Sequence, residues 1–477
     1  STLKITDTQA SSITTINGTG TIEVVISGNS SVNLSNMGAT TKVVTVSANS
    51  TFTGTFASGT TINVADGAKL TANYAKLTGF TVNKSNSTGA VEIDIPNASS
   101  TASLSTISGT ATKTALFTET QTFTGSLNSV AATIANGVTV TAAADKMTGQ
   151  TINKLSSGTG VLDVTVANAT GQNNADLTTI AGDALSSVTI TATQTFTGTL
   201  HGTVATTVAS GQTLTVADTI MGTKSIVGTG NATITMSTGT NTANLTSLNV
   251  SGTETVQFAS GATNFTGGTL ADTDVINVVS TGTVTFNGTQ LSNQTLSGAG
   301  NVVVNASGTT NLSGLTNSLT GTLTINDSAS VDTITGTSGA DLINLTNAGL
   351  DSVNAGAGAD TITINHAVSS INGGDTSATS DTLVVAASAG TIDLTSATIT
   401  DIQVVTVNSG STLKITDTQA SSITTINGAG NVTVKVSADS STDFATKLVT
   451  TGTETINFTA NSTFSGILGD SSASIDT

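Results

Sequence analysis

The residues whose spacing points to chemistry are aspartates. Between about residues 328 and 383, Asp332, Asp341, Asp351 and Asp360 follow one another at intervals of 9, 10 and 9 residues. Each is followed two positions later by an apolar residue of inward type: Ile334, Ile343, Val353 and Ile362. Glycines precede them, Gly336 and Gly339 in GTSGADLIN (336–344), and Gly356 and Gly358 in AGAGADTIT (355–363). A later segment, INGGDTSATSDTLVV (371–385), offers Gly373, Gly374, Asp375, Asp381 and Leu383 in similar order, loosened by an insertion. Evenly spaced carboxylates behind glycine turns make a ligand set for a hard cation. Beside this stands a plainer reading, that Gly-x-Asp is ordinary turn chemistry in a glycine-rich chain.

The elements that must hold these aspartates are β-strands. Short runs of alternating apolar and polar residues recur roughly every ten positions, as in TIEVVIS (21–27), KVVTVS (42–47), TINVAD (61–66) and VEIDI (91–95). Period two, β-branched residues and Gly, Asn or Ser punctuation predict strands joined by tight turns. A helical period is absent apart from a weak one near Ala142–Met147. A longer repeat overlies the strands. TFTGTF at 51–56 returns as TFTGSL, TFTGTL, NFTGGTL and TFSGIL, and Phe52, Phe123, Phe196 and Phe265 stand 71, 73 and 69 residues apart. Residues 1–18 recur unchanged at 411–428, which predicts that the chain is a window from a longer repeating pattern. The expected fold is all-β: an elongated parallel β-solenoid or β-helix array, with a tandem string of small β-sandwiches as the alternative.

Composition agrees with thin stacked layers. The 477 residues include 49 Gly, a single Pro (Pro96) and only 3% aromatic residues, whereas 36% are hydrophobic and 9% charged, with a mean hydropathy of +0.20. So little charge and so much apolar content exclude a disordered chain. All 12 basic residues are lysines, against 29 acids, giving a formal net charge of -17. Nucleic acid and anionic membranes need clustered Lys and Arg, so neither is an expected partner, and cations are. No apolar run approaches the roughly 18 to 20 residues of a membrane span, so membrane insertion is not expected. The absence of cysteine removes disulfides, thiolate metal sites and thiol nucleophiles together.

The aspartate segment resembles the RTX family, whose nonapeptide G-G-x-G-x-D-x-U-x forms a parallel β-roll with calcium in its turns. AGAGADTIT is the fullest match, GTSGADLIN a fair one, and NAGLDSV (347–353) keeps one glycine. The resemblance implies Ca2+ as the bound ion. It also implies that successive nonapeptides lie on opposite edges, pairing Asp341 with Asp360 and Asp332 with Asp351. The implied calcium set is Gly336, Gly339, Asp341, Gly356, Gly358, Asp360, Gly373, Gly374, Asp375 and Asp381 on one edge, with Asp332 and Asp351 on the other. The expected organisation is β-repeat units at 1–80, 81–150 and 151–223, two more within 224–327, an RTX-like calcium β-roll at 328–390, and a region at 391–477 duplicating the start.

The remainder is similar to RTX-bearing bacterial surface-layer proteins in its Thr/Ala/Gly/Asn-rich composition, its lack of cysteine, and motifs such as DTLVV (381–385) followed by ITDIQVVTVNSG (399–410). That likeness implies a secreted, self-assembling structural protein of the bacterial cell surface, exported by type I secretion. Its partners would be copies of itself, calcium, and cell-surface polysaccharide through a region other than these residues. A stalk of a repeat adhesin or extracellular fibre is the second reading. An enzyme is not expected. His201 and His366 stand apart with no partner at metal or triad spacing and are read as structural or solvent-exposed. Ser beside Asp is uninformative here, and no G-x-S-x-G occupies a strand-to-helix turn. Threonine runs such as 138–143 reflect β-propensity rather than ice binding, and N-x-S/T triplets arise from composition alone.

Overall fold

A computed structural model describes residues 1–271, 275–374, 380–459, 462–468 and 473–476. The chain is a parallel β-solenoid of about 22 turns, with 45% strand and 9% helix. Every described strand pairing is parallel, which removes the sandwich alternative, because sandwich sheets are antiparallel. The strand registers pair residues from 17 apart (Ala115 with Ala132) to 28 apart (Ser370 with Thr398), so the coils are unequal in length.

The alternating pattern explains the stacking. In Thr21–Ile26 the inward-facing residues Ile22, Val24 and Ile26 are buried while their neighbours are partly exposed. Val24 stacks on Val44, Val44 on Ile62 and Ile62 on Val82, all fully buried. A one-residue slip would turn this whole column outward, so the hydrophobic pattern sets the register. Each such side chain stabilises the coil by about 1.5–3 kcal/mol of apolar burial, as an upper figure. The recurring TFTG motif has a steric reason. Phe52, Phe123 and Phe196 fill the interior, and a Cβ on Gly54, Gly125 or Gly198 would lie 1.9, 1.9 and 2.1 Å from a carbonyl of the coil beneath.

The chain divides into two compact units: Ser1–Val216 with 224–232 and 250–252, and Ala217–Thr223 with 233–249 and 253–477. The first contains a five-stranded sheet running Thr2–Thr6, Thr21–Ile26, Thr41–Val46, Thr61–Val64 and Thr81–Lys84. The second contains the aspartate segment and the duplicate 411–428. The two copies share the strand and the capped helix that follows it, and differ beyond it: Thr425–Gly428 is a strand, whereas the first copy has an isolated bridge at Ile16. Thr6 and Thr416 each open a short helix, Asp7–Ser11 and Asp417–Ser422, with Gln9 and Gln419 closing a capping box. Burial differs, because strand Ser411–Thr416 is paired on both sides, by Gly390–Asp393 and Asn431–Val436. Among the described residues, Thr2–Thr6 pairs only with Thr21–Ile26, and Leu3 is 49% exposed where Leu413 is 0%. The weak helical period near Ala142–Met147 becomes one turn, Ala144–Met147.

Candidate metal centre

From Leu323 to Val385 the strands alternate between two sheets. Leu323–Asn326, Leu342–Leu345, Thr361–Ile364 and Thr382–Val385 stack in one, and Thr333–Thr335, Ser352–Asn354 and Ser370–Asn372 in the other. The intervening turns therefore fall on two edges. Turns 327–332, 346–351 and 365–369 form one, and turns 336–341 and 355–360 with Gly373 and Asp381 form the other. Ile334, Ile343, Val353 and Ile362 point inward and are at most 3% exposed, as the aspartate rhythm requires.

The aspartates build two columns. Each sits just before its strand, and Asp332, Asp351, Asp360 and Asp381 reach back one coil to the equivalent backbone N–H. The Asp341 N–H donates to Asp360 Oδ1 at 2.8 Å, the Asp360 N–H to Asp381 Oδ1 at 2.9 Å, and the Asp381 N–H to Gln403 Oε1 at 2.6 Å. On the other edge the Gly308 N–H donates to Asp332 Oδ1 at 2.6 Å and the Asp332 N–H to Asp351 Oδ1 at 2.7 Å. Both expected pairs, Asp341 with Asp360 and Asp332 with Asp351, are thus in register. Asp341 also accepts the Thr337 N–H at 2.6 Å and the Thr337 hydroxyl at 3.1 Å, while Asp332 accepts the Ser328 N–H and hydroxyl. Gln403 ends the first column, a role the sequence did not suggest, and Asp375 lies outside the described residues.

These carboxyls are buried: Asp327, Asp332, Asp341, Asp351, Asp360 and Asp381 are 5, 0, 3, 0, 1 and 0% exposed. Buried charge is retained in proteins when paired with an opposite charge or a metal. The sequence supplies no such charge locally, since no lysine or arginine stands between Lys224 and Lys414 while 12 acids do. Burial accordingly pushes the Asp341 carboxyl up to about 6. Asp351 is raised too, first by burial, with the Asp327 and Asp332 charges adding to it and the Asp332 N–H and His366 opposing it.

The glycines divide by role. Gly356, Gly358 and Gly374 have φ of +108°, +129° and +111°, a region open chiefly to glycine. Gly336 and Gly373 serve close approach instead: a Cβ would lie 2.0 Å from Ala355 O and 2.6 Å from Asp341 Oδ2 at Gly336, and 2.0 Å from Asp401 O and 2.5 Å from Asp381 Oδ2 at Gly373. Gly339 has open space, its nearest atom 3.9 Å away.

No family model, curated protein or solved structure matches this chain. What the site can do therefore rests on its own donors.

A stack of oxygen-only ligands, buried and short of positive charge, fits a hard divalent cation better than any protein counter-charge present in the segment. Asp341, Asp360 and Asp381 would hold it on one edge. One arrangement was not anticipated. Asp327, Asp351 and His366, from three successive turns of the other edge, converge so that one ligand atom of each lies within 4.8 Å of the others. His366 Nε2 is 3.7 Å from Asp327 Oδ2 and 3.7 Å from Asp351 Oδ2. His366, read from sequence as structural or solvent-exposed, thus has two carboxylate neighbours. The signal available was the coil length: two coils of about 19 residues, the Asp332–Asp351 interval, carry Asp327 to within one residue of His366.

Proposed function

We propose that this chain is a calcium-stabilised structural protein of an extracellular surface layer. The observation that carries the reading is the column Asp341–Asp360–Asp381, buried, in register, and set in a segment with no lysine or arginine from 225 to 413. When bound, calcium supplies the missing positive charge along the column. The chain's own part is to fix the carboxylates: backbone N–H groups hold one oxygen of each, and glycines 336, 356, 373 and 374 let adjacent turns approach closely. Binding to the folded roll and not to the open chain would couple folding to the higher calcium outside the cell. The repetitive solenoid offers long paired sheets, which suits self-assembly.

Electron microscopy of the purified chain in calcium, before and after chelation, tests this. A planar lattice that dissolves with chelator is the expected result; an assembly indifferent to chelation would overturn the calcium role. Isolated filaments would favour the second reading, an adhesin or fibre stalk, for which the unchanged recurrence of residues 1–18 at 411–428 speaks.

A further inference from the structure

We propose that Asp327, Asp351 and His366 form a separate site for a divalent transition cation, of which zinc is the best fit. The imidazole decides the class of metal. His366 Nδ1 lies 3.0 Å from Ala367 O, which can only accept, so Nδ1 bears a proton and donates it to that carbonyl, and Nε2 is the nitrogen that offers a lone pair in the neutral ring. That lone pair faces Asp327 Oδ2 and Asp351 Oδ2 at 3.7 Å each, beyond hydrogen-bond reach. Nε2 has no hydrogen-bond partner, and neither does Asp351 Oδ2, on a side chain that is 0% exposed. With the ring neutral, three electron-rich atoms converge with no donor between them, and a bound cation can take the place that a proton on Nε2 would otherwise fill.

The supporting shell is built on backbone. Asp327 Oδ2 accepts the Asn347 N–H at 2.9 Å, and its Oδ1 accepts the Thr346 N–H at 3.1 Å and Asn347 Nδ2 at 2.9 Å. Asp351 is oriented through Oδ1 by the Asp332 N–H at 2.7 Å. Each carboxylate is held by one set of contacts while an oxygen still faces the centre. Zinc with N and O ligands at about 2.0–2.2 Å in a tetrahedron sets them roughly 3.4 Å apart; the two Nε2–carboxylate distances of 3.7 Å are close to that, and the three ligand atoms all lie within 4.8 Å of one another. Calcium fits less well, because it prefers six to eight oxygens and a longer bond. The His366 side chain, 20% exposed against 0% for both aspartates, leaves an approach and a fourth position for water.

This proposal is independent of the calcium reading, although Asp351 was expected in the calcium set. The test is calorimetric titration of Zn2+ into the full chain held in saturating Ca2+, with Co2+ as a spectroscopic stand-in. The wild type should bind one equivalent at this site and give the intense visible bands of tetrahedral cobalt. His366→Ala and, separately, Asp327→Asn should weaken that binding about tenfold or more, and His201→Ala should not. Far-ultraviolet circular dichroism shows that each variant is folded, and His366→Gln replaces His366→Ala if the latter is not. No zinc binding by the wild type, or binding retained when His366 and Asp327 are each replaced, overturns the site. Equal competition by calcium overturns the assignment to a transition metal. Asp341→Asn should leave zinc binding intact, so the two proposals fail separately.

Discussion

Replacing Asp341 by Asn should stabilise the calcium-free protein at neutral pH, which is the reverse of what loss of a hydrogen-bonded side chain ordinarily does. Asp341 is 3% exposed, and burial raises its carboxyl from 3.8 to about 6. A raised acid contributes stability that is fully present below the unfolded value and lost as pH rises through the folded one. The window therefore runs from about pH 4 to about pH 6, and the charged form costs the fold about 3 kcal/mol at pH 7, at 1.36 kcal/mol per unit. Asn removes the charge and keeps the contacts: its carbonyl takes the Thr337 N–H, and its NH2 faces the Thr337 hydroxyl, which turns to Gly339 O 3.3 Å away. Native-state hydrogen exchange on peptides spanning 333–345, in chelator at pH 4 and pH 7, reads this local stability. Protection in Asp341→Asn should exceed wild type at pH 7, by up to about 3 kcal/mol, and match it at pH 4. A variant that loses protection equally at both values would show that the charge is not the cost, and the case for a missing cation would fall with it.

Two further outcomes follow from the geometry. Gly336→Ala should destabilise the roll by about 1–3 kcal/mol because its Cβ would meet Ala355 O at 2.0 Å, whereas Gly339→Ala, with open space, should change stability by less than about 0.5 kcal/mol in chemical denaturation. Leu413→Ala should cost about 2–5 kcal/mol and Leu3→Ala less than about 0.5, although both sit in STLKIT, because Leu413 is 0% and Leu3 49% exposed; exchange protection in each copy measures the contrast.

The coil architecture was legible because stacking leaves a one-dimensional trace. Intervals of 9 and 10 between aspartates place successive turns on opposite edges, and the apolar residue two positions on, from Ile334 to Ile362, marks the inward face. Coil number was harder to read, since coils of 17 to 28 residues do not divide a seventy-residue unit evenly. The short helix at Asp7–Ser11 was readable in principle from Thr6 and Gln9, a capping-box pair, but its apolar period is too brief to register. The Asp327–Asp351–His366 cluster was missed because its members come from three turns, 24 and 15 residues apart, and no fixed spacing announces them. Once the Asp332–Asp351 register is known, the sequence places them on one edge.

The most direct measurement is calcium binding by the intact chain, read as the melting temperature against free Ca2+ for wild type and for the triple replacement Asp341→Asn, Asp360→Asn, Asp381→Asn. The wild-type melting temperature should climb with the logarithm of calcium concentration, and the triple replacement should give a flat line. A wild-type curve as flat as that of the variant would contradict the reading of this column as a calcium site.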